Sequence, residues 1–332
     1  MPLLLAGIDE AGYGPMLGPL CAAAALFRLA DQTPGERPPD LWKALSEAVC
    51  RKPRDGRSRI AINDSKKLKR PNSAKRGHPL EHLERAVLAA VAQCDHPGPI
   101  TTDESLLDAL HARTEPQVWY AGRPLELPLG RTAEQLAVDA ARLAGALQHA
   151  GIELVGLRCV IVCETEFNTI VARSGSKADA TASAIRRLLH WCAARAVAPG
   201  SDHLRVVCDR QSGRSDYRPL LEAALPDWPA RPPLASDRRV RYELDTGADE
   251  RIASAAISFE TESEERHLAV ALASMTAKLV RELCMLRFNR YWAGRIPEIK
   301  PTAGYVSDAR RWLEDAGGHL TDDERRALVR IA

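Results

Sequence analysis

Three groups of carboxylates stand where short apolar runs give way to loops. Asp9 and Glu10 follow the run LLLAGI at 3–8, and Asp209 follows LRVVC at 204–208. Glu262, Glu264 and Glu265 come just after an apolar run that ends at Phe259. Carboxylates brought to one edge of a sheet raise one another's pKa unless a cation compensates them. A hard divalent cation such as Mg²⁺, which takes oxygen ligands, is the usual compensation. Singly, each acid also fits a strand-end or capping role; together they point to metal-assisted chemistry on an anionic substrate.

A basic block points to the same substrate class. Residues 51–76 hold eleven Lys or Arg, among them Lys66 and Lys67, opposed only by Asp55 and Asp64. The 332-residue chain as a whole carries a net charge of only +2. A local block in a balanced chain suits a polyanion footprint, although a charge run is also what a solvated loop looks like. The nine histidines show no HxxxH or HExxH spacing and the eight cysteines no CxxC pair, so no His/Cys metal site is expected. Without a secretory leader the cysteines read as reduced thiols. No apolar run reaches the ~18 residues of a membrane span. The expected location is cytoplasmic, with no membrane partner.

The elements that must position these groups follow from periodicity. Strands are expected at 3–8, 19–28, 157–163, 204–208 and 252–259, the first two as a hairpin. Helices are expected near 41–49 and over 80–91, 132–150, 178–198 and 264–286. The helix at 132–150 is stopped by Gly151. The last helix carries the stripe Leu268, Leu272, Met275, Leu279 and Leu283. Residues 30–60 and 95–132 read as irregular insertions, 210–241 as an Arg-rich loop, and the tail after 288 as charged helix.

The motifs resemble those of a known family. Gly7-Ile8-Asp9-Glu10-Ala11-Gly12-Tyr13-Gly14-Pro15, followed by Gly18-Pro19, resembles the opening G-[IV]-D-E-A-G-R-G-P-x-x-G-P-V of type 2 ribonuclease H (ribonuclease HII). Asp64-Ser65-Lys66-Lys67-Leu68 matches its D-S-K-K-L element. Glu164 to Asn168 loosely resembles its next segment, and Val207-Cys208-Asp209 resembles the strand ending in its third acid. Ala269–Leu279 and Ala303–Ala309 resemble its S-I-S-A-A-S-I-L-A-K-V helix and K-G-Y-G-T segment. The matches run in family order from residue 7 to 309.

The resemblance implies an α/β, ribonuclease H-like fold: a mixed five-stranded sheet flanked by helices, here with insertions and a C-terminal helical extension. It divides the chain into a catalytic domain, 1–287, and a substrate-contacting extension, 288–332. It implies a hydrolase that cuts the RNA strand of RNA–DNA hybrids, or ribonucleotides embedded in DNA, and leaves a 3′-hydroxyl. The implied cofactor is a pair of Mg²⁺ or Mn²⁺ ions about 3.5–4 Å apart. Asp9 would bridge them, and Glu10 and Asp209 would each hold one. The family's fourth ligand is an Asp fourteen residues before the helix Lys; counting back from Lys278 gives Glu264, with Glu262 as the alternative after a two-residue slip. Lys177-Ala178-Asp179 lies on the wrong side of Asp209 to supply it. Gly12, Tyr13 and Gly14 would approach the ribose 2′-hydroxyl. Ser65, Lys66 and Lys67 would bind phosphates, and Tyr305 would pack at the RNA–DNA junction. Tyr13 stands where the family has Arg, and Glu264 where it has Asp. These two departures motivate an alternative: a nucleic-acid-binding protein that keeps the fold without catalysis. A third reading is another nuclease or nucleotidyl-transfer activity on the same fold.

Overall fold

Gly7 determines how the two halves of the core meet. A Cβ placed on it would lie 2.1 Å from the backbone nitrogen of Val270, so only glycine lets the long helix beginning at Leu268 approach the first strand this closely. The computed structural model describes every residue except 1, 31, 33–36, 54, 74–75, 97, 114–116, 196–201, 212–213, 248–251 and 332. Arg54 and Lys75 of the basic block, and the end of the helix expected at 178–198, lie outside the described residues.

The strands are β1 (Leu3–Ala11), β2 (Leu20–Leu29), β3 (Val49–Cys50), β4 (Ile60–Ala61), β5 (Ile152–Val162), β6 (Asp202–Asp209), β7 (Leu234–Ser236), β8 (Arg239–Leu244) and β9 (Ile252–Glu260). The helices before β5 are α1 (Leu41–Ala44), α2 (Ser65–Leu68), α3 (Glu81–Val91), α4 (Asp103–Ala109) and α5 (Ala133–Ala150). Those after it are α6 (Glu164–Ser174), α7 (Lys177–Ala194), α8 (Arg218–Ala224), α9 (Leu268–Arg295), α10 (Val306–Ala316) and α11 (Asp322–Leu328).

One mixed sheet of seven strands has the order β5-β2-β1-β6-β9-β8-β7. β1 and β2 form the expected antiparallel hairpin, and β1 runs parallel to β6, and β6 to β9. The five expected strands are the contiguous part of this sheet; β7 and β8 lengthen it at one edge. Side chains alternate across β1. Leu3 and Leu5 join the core against α9, α3 and α5, whereas Leu4, Ala6 and Ile8 join the core against α7 and α8. Each buried leucine or isoleucine among them contributes roughly 1.5–3 kcal/mol. Helices on both faces and a helical tail make this the α/β arrangement expected.

Four local expectations are corrected. The helix near 41–49 is only one turn, α1, because Val49 pairs with Ile60 in the two-stranded ribbon β3–β4. The stretch 95–132 contains α4, and its Leu106, Leu110, Trp119 and Leu127 are buried in the core. The stretch 210–241 contains α8, β7 and the start of β8; in β8, Val240, Tyr242 and Leu244 are buried at period two. The last long helix begins at Leu268, not 264, after a single 3₁₀ turn at Ser263–Glu265. The helix then runs through 287–288, the expected domain boundary, and Trp292 and Trp312 share the core of α9.

Candidate active site at the carboxylate edge

Three parallel strands, β1, β6 and β9, deliver acids to one edge of the sheet. Asp9 and Glu10 lie near the end of β1, and Asp209 ends β6 in register with Glu260 of β9. The chain then turns through Ser263–Glu265, which carries Glu264 back toward them. Asp9 is buried and Glu10 and Asp209 are partly so. The Ser263 hydroxyl donates to Asp209 Oδ1 at 2.9 Å, and the Ser263 N–H donates to the same oxygen at 3.3 Å.

The electrostatics are those of an undercompensated cluster. Burial, then the charges of Glu10 and Asp209, pushes the Asp9 carboxyl well above its ordinary range. Burial and then Asp209 push Glu10 up to about 7. Asp209 and Glu264 are likewise raised, both chiefly by burial. Lys66, exposed at the start of α2, is a cation whose charge opposes these shifts at Glu10, Asp209 and Glu264. Glu264 Oε2 is buried with no hydrogen-bond partner. Glu262 is exposed, with its backbone in the left-handed region at φ 52°.

The donor set is all oxygen, and with its orphaned carboxylate oxygen it fits a hard divalent cation. Among the described residues, no three His, Cys, Asp or Glu side chains are placed so that they could hold a metal ion as they stand.

Ser65 and Ser274 tie α2 to α9 through a 3.0 Å hydroxyl–hydroxyl hydrogen bond, and the Ser274 side chain partly opposes the rise in the Asp9 pKa. Lys67 is drawn the other way, into an ion pair with Glu265. Arg51 donates to the Glu265 carbonyl at 2.7 Å while stacking on Trp42. The ribbon and α2, which carry much of the basic block, are thus docked against the turn that presents Glu264.

The glycine loop follows directly from β1. Gly12 has φ +92°, and a Cβ there would meet Pro19 O at 2.6 Å and Arg281 Nε at 2.7 Å. A Cβ on Gly14 would meet nothing within 4 Å, so that position is open rather than crowded. Tyr13 is 40% exposed. Tyr305 is also exposed; its hydroxyl accepts from Lys278 Nζ at 3.3 Å, and the Arg281 guanidinium lies 5.5 Å from its ring. The neighbouring Gly304 carbonyl accepts from Met16 N at 2.8 Å, tying the Tyr305 segment to the loop.

Sequence reasoning missed the side chains that hold this loop. Arg281 is fully buried and donates to the carbonyls of Leu17 and Ala303. Arg330 donates to Gly12 O at 2.6 Å and Tyr13 O at 2.9 Å, with its guanidinium stacked 3.8 Å from Phe167. Ser263 and Ser274 were missed as well. For Ser274, Lys278 and Arg281 a signal existed: polar residues at steps of four and three on one helix face. Nothing around Arg330 in the sequence marks it.

No protein-family model matches this chain, and no curated protein does. Solved structures do. The RNase HII of Archaeoglobus fulgidus, solved in a complex with PCNA, is 14% identical, with a TM-score of 0.41 over 99% of this chain and 94% of that one. The ribonuclease H2 of Pyrococcus horikoshii OT3 is 17% identical, with a TM-score of 0.41 over 95% and 86%. Bst-RNase HIII in complex with Mn²⁺ is 16% identical, with a TM-score of 0.40 over 99% and 66%. These three are, by their own names, an RNase HII, a ribonuclease H2 and an RNase HIII.

Proposed function

We propose that this chain is a divalent-metal-dependent endonuclease that hydrolyses the RNA strand of RNA–DNA hybrids, or DNA at an embedded ribonucleotide, leaving a 3′-hydroxyl. The observation that carries the reading is the gathering of Asp9, Glu10, Asp209 and Glu264 at one sheet edge with their pKa values raised together. Such a cluster costs stability in a chain without cations, and a bound cation offsets that cost. Bound Mg²⁺ or Mn²⁺ would supply positive charge for the attacking and leaving oxygens of a phosphodiester.

The chain's own groups have separable tasks. Asp9, Glu10, Asp209 and Glu264 would hold the cations, with Ser263 orienting Asp209 through its hydroxyl. Lys66 and the docked ribbon give the substrate's phosphates a positive surface, which positions without reading sequence. Gly12, Tyr13 and Gly14 approach the ribose, where the 2′-hydroxyl distinguishes RNA from DNA, and the open space at Gly14 leaves room for it. Tyr305, carried on the extension after 288, offers an exposed ring to the duplex. The undivided reduced thiols suit a cytoplasmic protein.

The test uses three labelled duplexes: DNA with one ribonucleotide, a long RNA–DNA hybrid, and plain DNA, each with Mg²⁺ or Mn²⁺. Cleavage of either ribonucleotide-containing duplex, absent for plain DNA and for Asp9→Asn, supports the reading. Binding of all three without cleavage would support the non-catalytic alternative instead.

A further inference from the structure

At the outer edge of the sheet, away from the glycine loop, a cavity of 690 Å³ opens against β5, α7, α8 and the turn that follows α4. Among the described residues its lining carries arginines and histidines and no carboxylate. His111 and Arg113 come from the turn, Arg158 from β5, and Arg186, Arg187 and His190 from α7, with no Asp or Glu among the lining residues. Arg187 is paired with Glu166 of α6. Among the described residues, Arg113, Arg158 and Arg186 have no carboxylate partner.

Arg158 is the informative member. It is only partly exposed, and its Nε is buried without a hydrogen-bond partner among the described residues. Its guanidinium is held below its ordinary value by burial and then by the charge of Arg195. A buried donor left without an acceptor is costly, more so when charged. The fork of a guanidinium matches the oxygens of a phosphate bidentately. Arg186 and His190 lie four residues apart on α7 and so face the same side. A single carboxylate would answer one of these cations; a phosphorylated ligand answers several.

The sheet register relates this cavity to the acids. Cys159 pairs with Ala23, and Ala23 with Asp9. The cavity floor is therefore level with Asp9 and two strands away, about 10 Å at ~4.8 Å per strand, but Arg158, in register with Ala24, lies on the α7 face of the sheet, opposite the α9 face that Asp9 shares with Ala23.

We propose that this arginine-lined cavity is a phosphate-binding site, taking the phosphate groups of a nucleic-acid strand or of a free phosphorylated ligand. The assignment goes beyond the nuclease reading and does not depend on it. Binding is measured in EDTA, where no cleavage occurs, with three probes: inorganic pyrophosphate and thymidine monophosphate by calorimetry, and a short labelled single-stranded oligodeoxynucleotide by fluorescence anisotropy. Arg158→Ala is expected to weaken binding about tenfold, as for loss of a charge-assisted hydrogen bond. Arg186→Ala, an exposed side chain whose loss leaves the core intact, is expected to weaken it about threefold. Arg123→Ala, an exposed arginine outside the cavity, is the control and should bind as the parent does.

Arg158-dependent binding of the oligodeoxynucleotide alone identifies a strand as the ligand. Arg158-dependent binding of pyrophosphate or the mononucleotide identifies a free phosphorylated ligand. The proposal is overturned if no probe binds, if Arg158→Ala and Arg186→Ala bind like the parent, or if Arg123→Ala loses as much as they do. Failure of the three-duplex cleavage test would remove the nuclease reading and leave this result standing.

Discussion

The end of β1 and the loop that follows it bury charge in opposite ways. Asp9 and Glu10 sit among other carboxylates, and burial with like charge raises their pKa. Against that loop, Arg330 is buried beside Arg281, and its pKa is lowered to about 10, first by burial and then by Arg281. The two guanidinium groups meet mainly backbone carbonyls: Gly12, Tyr13, Leu17 and Ala303. Backbone dipoles cannot leave, so the arginines act as fixed struts for the loop. The carboxylates face one another and an exposed lysine, so their partner can be exchanged. One region is built to hold shape and the other to accept a charge it does not itself contain.

That contrast is broken first by Asp9→Asn. Activity should fall at least ~100-fold, the scale of losing one preorganised electrostatic contributor. Stability without metal should be unchanged or higher, because a desolvated acid beside two others is removed. A urea melt and a cleavage rate measured on the same preparation check both halves. A variant that cleaves normally with Mg²⁺ would remove Asp9 from the site.

Arg330→Ala should do the reverse. It removes charge-assisted bonds to two carbonyls, and such bonds contribute about 1.5–3 kcal/mol each. The segment around it is further tied by Asn168, which donates to Val329 O at 2.8 Å and accepts from Ile331 N at 2.8 Å. The urea midpoint should drop accordingly, with activity at saturating metal affected far less than by Asp9→Asn. Unchanged stability would mean that Arg330 is not a strut.

These outcomes bear on what can be read from a sequence. Asp9, Glu10 and Asp209 were legible because each ends a short apolar run, and a run's end is a local property. Glu264 comes from counting back from Lys278; the structure buries it more than Glu262 and sets it in the field of Asp209. β8 was legible in principle: R-V-R-Y-E-L alternates at period two, but its arginines drew attention to charge rather than to pattern. Arg330 was not legible, since its partner Gly12 is 318 residues away and no local period or cap marks the pairing. The same holds for Ser263, whose role depends on where β6 ends.

The acid region also makes a prediction about pH. Glu10 rises from 4.5 to about 7, so the folded chain holds this proton more tightly than the unfolded chain. The group's contribution to stability is then full below its unfolded pKa and is lost as pH rises through about 7. Without metal, the urea midpoint should fall between about pH 5 and pH 8 through this group, and Glu10→Gln should flatten the fall. Added Mg²⁺ should restore stability most at the higher pH. A rise in the Glu10-dependent part across that window would contradict the assigned shift.

Glu264 and Glu262 sharpen the comparison further. Glu264→Gln should lower activity about tenfold and raise the Mg²⁺ requirement, since it changes one ligand of several. Glu264→Asp should stay active. Glu262→Gln should change little, and Glu262→Gly should stabilise the chain by about 1 kcal/mol by relieving a left-handed backbone. A larger loss from Glu262→Gln than from Glu264→Gln would transfer the role to Glu262.

The smallest effect is expected from the lysines beside the acids. Each phosphate neutralised by a free lysine contributes about one unit to the slope of log K against log salt. Lys66 and Lys67 are not free: Lys66 lies in the field of Glu10, Asp209 and Glu264, and Lys67 is paired with Glu265. A phosphate that engages either must compete with an existing carboxylate, and fewer counterions are released per contact. Replacing both with alanine should therefore flatten the slope for hybrid duplex by about one unit or less, below the two expected of free lysines. Occupying the acid site with Mg²⁺ should release Lys66 from its acids and make the slope of the parent steeper. A full two-unit change without metal would show that the acids do not restrain these lysines at all.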